Sequence, residues 1–117
     1  MQYMILIYEP AGCYDGPAGE AALQDIVAKH MALAGELRAA GIQKEGAGLQ
    51  GIETATTVVT STGGRQTVHD GPFAETREHL GGYYVIDVPN LDDALAMARR
   101  VPVMDGGKVE IRPLITH

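Results

Sequence analysis

The amino-acid sequence predicts an α+β domain in which an antiparallel sheet carries two helices on one face. The chain has 117 residues, enough for one domain with one hydrophobic core, so residues 1–117 form a single predicted domain. Apolar segments with strand character alternate with two segments of helical periodicity. Two short strands around a Gly-Gly turn add a hairpin. The predicted order, β-α-β-(hairpin)-β-α-β, is the ferredoxin-like arrangement with an inserted hairpin.

The first predicted strand also indicates an assembly. Residues 3–8 are apolar at every position, without the alternation of a half-exposed strand. Such a run is typical of a strand that is covered on both faces. Two helices cover only one face of a sheet this small. We therefore expect a second subunit to cover the other face, which predicts a homodimer joined through the sheet.

The first helix is predicted at residues 20–40. Gly41 is a suitable stop signal, and Pro17 suits the first turn. At 100° per residue, His30 falls within the apolar stripe and therefore faces the sheet. The predicted stripe comprises Leu23, Ile26, Val27, Ala34 and Leu37.

The second helix follows Asn90, which is a suitable N-cap, and ends before Pro102. Its predicted buried stripe comprises Leu91, Ala94, Leu95 and Ala98. The last strand, residues 108–113, alternates, so that Val109 and Ile111 face the core.

The middle of the chain is richer in turns. Residues 42–51 are Gly-rich and predict a weak strand with a bulge. Residues 55–61 and 66–69 predict the hairpin. Residues 74–80 have the composition of one or two helical turns. Gly81-Gly82, at which we expect a bulge or a close backbone approach, then leads into a strand at residues 83–88.

Composition limits the partners that we expect. The formal net charge is −6, and no cluster of Lys or Arg is present, which argues against nucleic-acid or anionic-membrane binding. The single cysteine, Cys13, cannot form an internal disulfide, which is typical of a reducing cytoplasm. The apolar run at the N-terminus is too short for a signal sequence or a membrane span. We expect a cytoplasmic protein.

The candidate catalytic residues are His30 and Asp70. His30 is either a core histidine whose ring nitrogens are hydrogen-bonded, or an acid/base at the floor of a pocket. Asp70, before Gly71-Pro72, either caps a turn or orients the imidazole, and one carboxylate can do both. The hypothesis is that Asp70 faces His30 across a cavity.

Further polar residues are expected near the mouth of this pocket. Glu75 and Glu78 share a face if their segment is helical, and they either form salt bridges or provide acid/base groups. Tyr83 and Tyr84 must face opposite sides of the sheet, so that one of them faces the pocket. We name Tyr8, Glu75, Glu78 and Tyr84 as ligand-binding candidates. No spacing matches a structural zinc site and no phosphate-binding loop is present, so we expect neither metal nor cofactor.

The central motif resembles the DGPF branch of the YCII-related family. The residues that carry the resemblance are Asp70-Gly71-Pro72-Phe73-Ala74-Glu75-Thr76-Arg77-Glu78, Leu80-Gly81-Gly82-Tyr83-Tyr84, Tyr3-Met4-Ile5-Leu6-Ile7-Tyr8, His30-Met31 and Val109-Glu110-Ile111-Arg112-Pro113. They span nearly the whole chain. Arg77, where a Lys is usual, and His79, where Gln or another polar residue is expected, depart from the pattern. His79 is therefore a poor candidate for a shared function.

The resemblance implies a dimeric α+β barrel from bacteria. The family is mostly of unknown function, and relatives with this fold include small lyases and isomerases that use a His–Asp pair. DGPF proteins occur near extracytoplasmic-function sigma factors, which implies a regulatory context.

Two functions follow as hypotheses. The first is a homodimer that binds an unidentified small molecule in a His/Asp pocket and catalyses cofactor-free proton transfer, as an isomerase or lyase does. The alternative is a non-catalytic module that senses a ligand or docks on a regulatory protein. An enzyme requires His30 and a carboxylate within hydrogen-bond reach or joined by one water. A docking module requires an exposed apolar patch away from the pocket.

Overall fold

The computed structural model of the chain describes residues 1–72 and 77–116. Across these residues the strands and helices follow the predicted order. They are β1 (Gln2–Pro10), α1 (Gly16–Ala39), β2 (Gln43–Gly48), β3 (Thr56–Thr60), β4 (Gln66–Asp70), β5 (Glu78–Asp87), α2 (Leu91–Ala98) and β6 (Lys108–Pro113), with a 3₁₀ turn at Ile52–Thr54.

The main sheet has four strands in the order β2-β5-β1-β6, and every neighbouring pair is antiparallel. Strands β3 and β4 pair only with each other in a separate two-stranded sheet. The α+β prediction with a ferredoxin-like order is therefore confirmed. The hairpin lies outside the main sheet.

The core lies between the helices and one face of this sheet. Along β1, alternate residues are buried, beginning at Tyr3 and ending at Glu9. The helices contribute Leu33 and Leu37 of α1 and Ala94 and Ala98 of α2. The remaining members of the cluster are Ile5, Ile7, Tyr84, Ile86, Val88 and Val101. Val109 and Ile111 pack against it from β6, as the alternation predicts.

In the described part of the chain, no helix packs on the opposite face of the sheet. Met4, Leu6 and Tyr8 of β1 point to this face and are only half-buried. In the strand register, Leu6 lies opposite Tyr83 and Met4 opposite Val85. This open face is therefore apolar along its centre, as the uninterrupted apolar run predicts.

Helix α1 is longer than predicted and buries a different stripe. It begins at Gly16 and has Pro17 in its first turn. Ile26 and Leu37 are buried as predicted, together with Leu33. Leu23 and Val27 are 41% and 45% exposed, because at their end of the helix a cavity separates α1 from the sheet.

On the second helix as well, only part of the predicted stripe is buried. The Asn90 side chain accepts a hydrogen bond from the Asp93 N–H at 2.9 Å, which confirms the N-cap. Ala94 and Ala98 are buried, whereas Leu91 and Leu95 are exposed.

The start of β5 corrects one prediction. Residues 78–80 are strand, not helix, because they extend β5 along β1 as far as Pro10. Residues 74–76 of the predicted helical turn lie outside the described residues. The expected bulge is present, since Ile7 pairs with Gly82 and Tyr8 with Leu80, which leaves Gly81 unpaired. A Cβ on Gly82 would lie 2.7 Å from the Ala47 carbonyl oxygen, so this close approach requires glycine.

Candidate functional site

A cavity of about 900 Å³ opens between α1, the sheet and the loop that follows β1. Apolar side chains form much of its wall, among them Ile7, Leu23 and Ile26. Several polar side chains enter the same space. They are Glu9, Tyr14, His30, Gln43, His79 and Tyr84. Apolar walls with a few convergent polar groups are typical of a small-molecule site.

His30 and Tyr84 form the central pair of this cavity. The imidazole Nδ1 lies 2.7 Å from the Tyr84 hydroxyl, and the ring centroids are 5.8 Å apart. Burial lowers the pKa of His30 from its ordinary value of 6.5, although the Glu9 carboxylate and the Pro102 backbone act in the opposite direction. Burial also raises the pKa of the Tyr84 phenol.

The directions of these two pKa shifts indicate the protonation states of the two rings that share the hydrogen bond. Both shifts favour the neutral form, so the pair at neutral pH is a neutral imidazole with a neutral phenol. Because a phenol is a stronger acid than a neutral imidazole, we assign the Tyr84 hydroxyl as the donor to Nδ1, which places the imidazole proton on Nε2. The same hydroxyl lies 3.5 Å from the main-chain carbonyl oxygen of His30, which offers it a second acceptor.

Three carboxylates of the described residues line this cavity, of which Asp15 and Glu53 are exposed and Glu9 is the buried one. The Oε2 of Glu9 accepts hydrogen bonds from the Tyr14 hydroxyl at 2.6 Å and from the Met104 N–H at 2.8 Å. Burial, followed by the hydrogen bond to Glu9, raises the pKa of Tyr14 and keeps its phenol protonated. A carboxylate fixed by two donors acts on the cavity as a stationary negative charge.

The alternation of β1 and the period of α1 explain this arrangement. Glu9 extends the set of residues that face the helices, and its strand partner is His79 of β5. Tyr84 lies opposite Ile5 and so points to the same face. On α1, His30 lies four residues after Ile26 and three before Leu33, which places it on the buried side of the helix.

Several predicted site residues lie elsewhere. Tyr8 is on the open face of the sheet, where it pairs with Lys108 of β6, so it does not face this cavity within one subunit. Glu78 forms an ion pair with Lys108, in agreement with the salt-bridge alternative. Glu75 lies outside the described residues. Of the ligand-binding candidates in the described part of the chain, only Tyr84 lines the cavity.

Asp70 is not placed across the cavity from His30. It is the last residue of β4, where it pairs with Thr56 at the base of the hairpin, and its side chain is exposed. Among the described residues that line the cavity, Asp70 is absent, and Glu9 is the buried carboxylate. The expected pairing of His30 with Asp70 is therefore not found within one subunit, since Asp70 belongs to a hairpin that forms a separate sheet.

Sequence reasoning missed Glu9, Tyr14 and Gln43. Glu9 continues the buried set of Tyr3, Ile5 and Ile7, but this alternation is visible only in the structure, because residues 3–8 are apolar throughout. Tyr14 and Gln43 carried no usable signal either, since their placement depends on the path of two loops. His79, set aside at first, lines the cavity as well.

Two observations concern the described part of the chain as a whole. Within residues 1–72 and 77–116, no group of three His, Cys, Asp or Glu side chains is close enough to hold a metal ion. Within the same ranges, no helix is both long and apolar enough to cross a membrane.

The fold and the site define a class of protein: a ferredoxin-like α+β domain with a His–Tyr pair in a cavity between helix and sheet. Comparison with known proteins agrees with this class. A profile of the YCII-related domain matches residues 1–116, and the chain belongs to that family. It is also similar to an uncharacterised protein of Rhizobium meliloti (strain 1021), with 44% identity over 66 residues. That match covers 55% of this chain and 53% of the relative, so the chain spans about half of the relative's length.

Proposed function

We propose that this YCII-related protein binds a small molecule in the cavity beside His30 and catalyses proton transfer on it without a cofactor. One observation carries the proposal: a neutral imidazole, hydrogen-bonded to Tyr84 at 2.7 Å, lies in a cavity of about 900 Å³ that also contains a fixed carboxylate. A histidine kept neutral at the working pH is ready to act as a base. The expected reaction class is isomerisation, elimination or hydration of a carbonyl or ring compound.

The chemical roles follow from the hydrogen bonds. His30 Nδ1 acts as the base through Tyr84: the Tyr84 hydroxyl passes its proton to Nδ1 while its oxygen takes a proton from a C–H bond next to a carbonyl, and the electron pair of that bond passes toward the carbonyl oxygen. The Tyr84 hydroxyl then turns to its second acceptor, the main-chain carbonyl of His30. The imidazolium formed is stabilised by the field of Glu9. The proton is returned to another atom of the same molecule, so no external acid is consumed.

Asp70 keeps a place in this proposal as a prediction. It lies exposed at the base of the hairpin, and its predicted role requires it to approach the imidazole of its own or of a second subunit. The assignment to the DGPF branch rests on residues 70–78, to which Asp70 belongs. Exchange activity retained in Asp70→Asn would remove it from the mechanism and leave Glu9 as the carboxylate. The ligand contacts proposed for Tyr8, Glu75 and Glu78 at the mouth of the cavity also stay predictions, and a substitution of each residue would test them.

The assembly in this proposal is a cytoplasmic homodimer joined through the open face of the sheet. The centre of that face is apolar, with Leu6 opposite Tyr83 and Met4 opposite Val85. Charged residues of β6 lie beside this centre, Glu110 opposite Leu6 and Arg112 opposite Met4. An apolar centre with a charged rim is the usual anatomy of a two-fold interface. Light scattering should give twice the chain mass for the wild type and a lower mass for Leu6→Glu; a monomeric wild type would contradict the dimer.

The catalytic test uses acetylacetone and cyclohexanone as probes in D₂O. Proton NMR measures the exchange of their acidic C–H groups with and without the protein. The wild type should accelerate exchange, and His30→Gln should not. The matched control is His69→Gln, which changes an exposed histidine of the hairpin. Exchange at the same rate in His30→Gln and wild type would end the catalytic proposal.

The second candidate function is ligand sensing or docking on a regulatory protein. The hairpin favours it, because Val58 and Val68 face each other across β3 and β4 and are 57% and 67% exposed. The Cα radius of gyration is 16.1 Å, above the roughly 13 Å of a compact chain of this length. A sensor predicts that a probe binds in the cavity without any accelerated exchange.

A further inference from the structure

The amide of Gln43 is a buried polar group without a partner. The side chain is only 6% exposed, and its Oε1 has no hydrogen-bond partner among the described residues. Buried polar atoms in folded proteins are almost always hydrogen-bonded, so such an exception calls for an explanation. Gln43 also lines the cavity that contains His30 and Tyr84. A residue at a cavity wall whose amide oxygen has no partner is expected to form that hydrogen bond with a bound ligand.

The backbone around Gln43 holds the amide in this position. Gln43 is the first residue of β2 and pairs with Ile86, on the face of the sheet that carries the helices. A bulge follows it, between Gln43 and Glu45. Gly46 then leaves room for the amide, because a Cβ at that position would lie 2.8 Å from Gln43 Nε2. Gly46 in turn pairs with Tyr84, so the amide lies beside the catalytic pair.

We infer that Gln43 binds and orients the ligand through a hydrogen bond between its amide oxygen and a hydroxyl group of the ligand. The oxygen is covered in the present rotamer, and the soft terminal torsion of glutamine allows it to turn toward the cavity. The described residues of the cavity wall include three carboxylates and one guanidinium, so their net negative charge disfavours an anionic ligand; these residues are Glu9, Asp15, Glu53 and Arg38. The inference rests on the proposed function and narrows its ligand class to uncharged compounds that carry a hydroxyl group.

The test compares two probes that differ only in this group, phenol and anisole. Both are titrated into ¹⁵N-labelled protein, and the dissociation constants are measured from chemical-shift changes. Phenol should bind wild type about 5- to 10-fold more tightly than it binds Gln43→Leu, the effect of losing one neutral hydrogen bond. Anisole, which has no O–H to donate, should bind both proteins equally. The side-chain NH₂ signals of Gln43 should shift with phenol.

Two further variants make the test independent of any single substitution. Gly46→Ala displaces the amide without removing it, and it should weaken phenol binding while leaving anisole binding unchanged. Gln24→Leu is the matched control, because Gln24 is an exposed glutamine on α1. Gln43→Leu should raise the melting temperature, since it removes a buried polar atom that has no partner. A functional residue often lowers stability in this way.

The outcomes separate this inference from the function on which it rests. Equal loss of phenol and anisole binding in Gln43→Leu, or no loss of either, would overturn the role of Gln43 and leave the cavity as a binding site. A water molecule that stays on Oε1 in a crystal structure with bound phenol would overturn it as well. If neither probe shifts any signal from cavity residues, the small-molecule site fails, and this inference fails with it.

Discussion

Two regions of the molecule each contain a histidine together with an acidic residue, and they differ in burial. In the cavity, half-buried His30 bonds to Tyr84, and the buried Glu9 carboxylate is held by Tyr14 and Met104. At the base of the hairpin, His69 and Asp70 are adjacent in sequence and both are exposed. His69 Nε2 lies 3.2 Å from the Pro72 carbonyl oxygen.

The comparison shows that the same types of side chain, a histidine and a carboxylate, have different chemical properties in the two regions. On the hairpin, both side chains are exposed, so water and salt screen their charges. In the cavity, burial lowers the pKa of His30, and two donors fix Glu9. Position relative to the core, rather than proximity in sequence, therefore selects the pair that is suited to chemistry. The predictions below test this difference between the two regions.

The largest expected effect concerns activity. His30→Gln should reduce the exchange of acetylacetone protons by at least about 100-fold, the usual contribution of a general base. His69→Gln should leave the rate within about two-fold, since an exposed group far from the reacting atoms adds little. Exchange is measured by NMR in D₂O. An equal loss of exchange rate in the two variants would mean that the cavity has no particular role in catalysis.

The second prediction concerns stability. Glu9→Ala leaves the Tyr14 hydroxyl and the Met104 N–H without their acceptor, so the free energy of unfolding should fall by about 2–3 kcal/mol. Asp70→Ala, at an exposed position, should change it by less than about 0.5 kcal/mol. Urea titration followed by circular dichroism gives both values. A comparable loss in both variants would contradict the contrast between the regions.

A smaller effect is expected from Tyr84→Phe. The substitution keeps the aromatic ring in the core and removes the hydroxyl that bonds to His30 Nδ1. The free energy of unfolding should fall by about 1 kcal/mol, as for one neutral hydrogen bond. Tyr83→Phe, on the open face where the hydroxyl bonds to exposed Glu45, is the control and should change it less. Urea titration measures both values. A larger fall in the free energy of unfolding for Tyr83→Phe than for Tyr84→Phe would contradict a stabilising His30–Tyr84 hydrogen bond.

The smallest effect is a dependence of stability on pH. Because the folded pKa of His30 lies below 6.5, the unfolded chain binds more protons than the folded chain between the two pKa values. The contribution of His30 to stability is therefore complete above pH 6.5 and is lost as the pH falls toward the folded pKa. His30→Gln should remove this part of the slope. Urea titrations between pH 5 and 8 measure it, and an unchanged slope in the variant would contradict it.

Much of the fold was accessible from sequence because local signals were strong. The Asn90 cap, the Gly81 bulge and the inward-facing Val109 and Ile111 depend on chemistry within a few residues. The site was harder. Residues 3–8 are apolar throughout, so the sequence pattern gave no information on which of them face the helices, and it did not show that Tyr8 lies on the open face.

The candidate acid illustrates a second limit. Asp70 and His30 are 40 positions apart, and their separation depends on where the hairpin lies relative to the sheet. No local pattern encodes that angle. The helical turn predicted to include residues 78–80 was wrong for a related reason, because pairing along β1 outweighed the helical tendency of the segment. His30 was predicted to face the sheet because the helical period fixes its direction, whereas strand alternation predicted only that one of Tyr83 and Tyr84 faces the pocket.

The bulge at the unpaired Gly81 determines which side chains at the start of β5 point into the cavity. With the bulge, His79 lies opposite Glu9 and lines the cavity. Regular pairing without the bulge would place Gly81 opposite Tyr8 and Leu80 opposite Glu9, and it would exchange the sides to which His79 and Leu80 point. The bulge therefore places a histidine, rather than a leucine, beside the buried carboxylate at the cavity entrance.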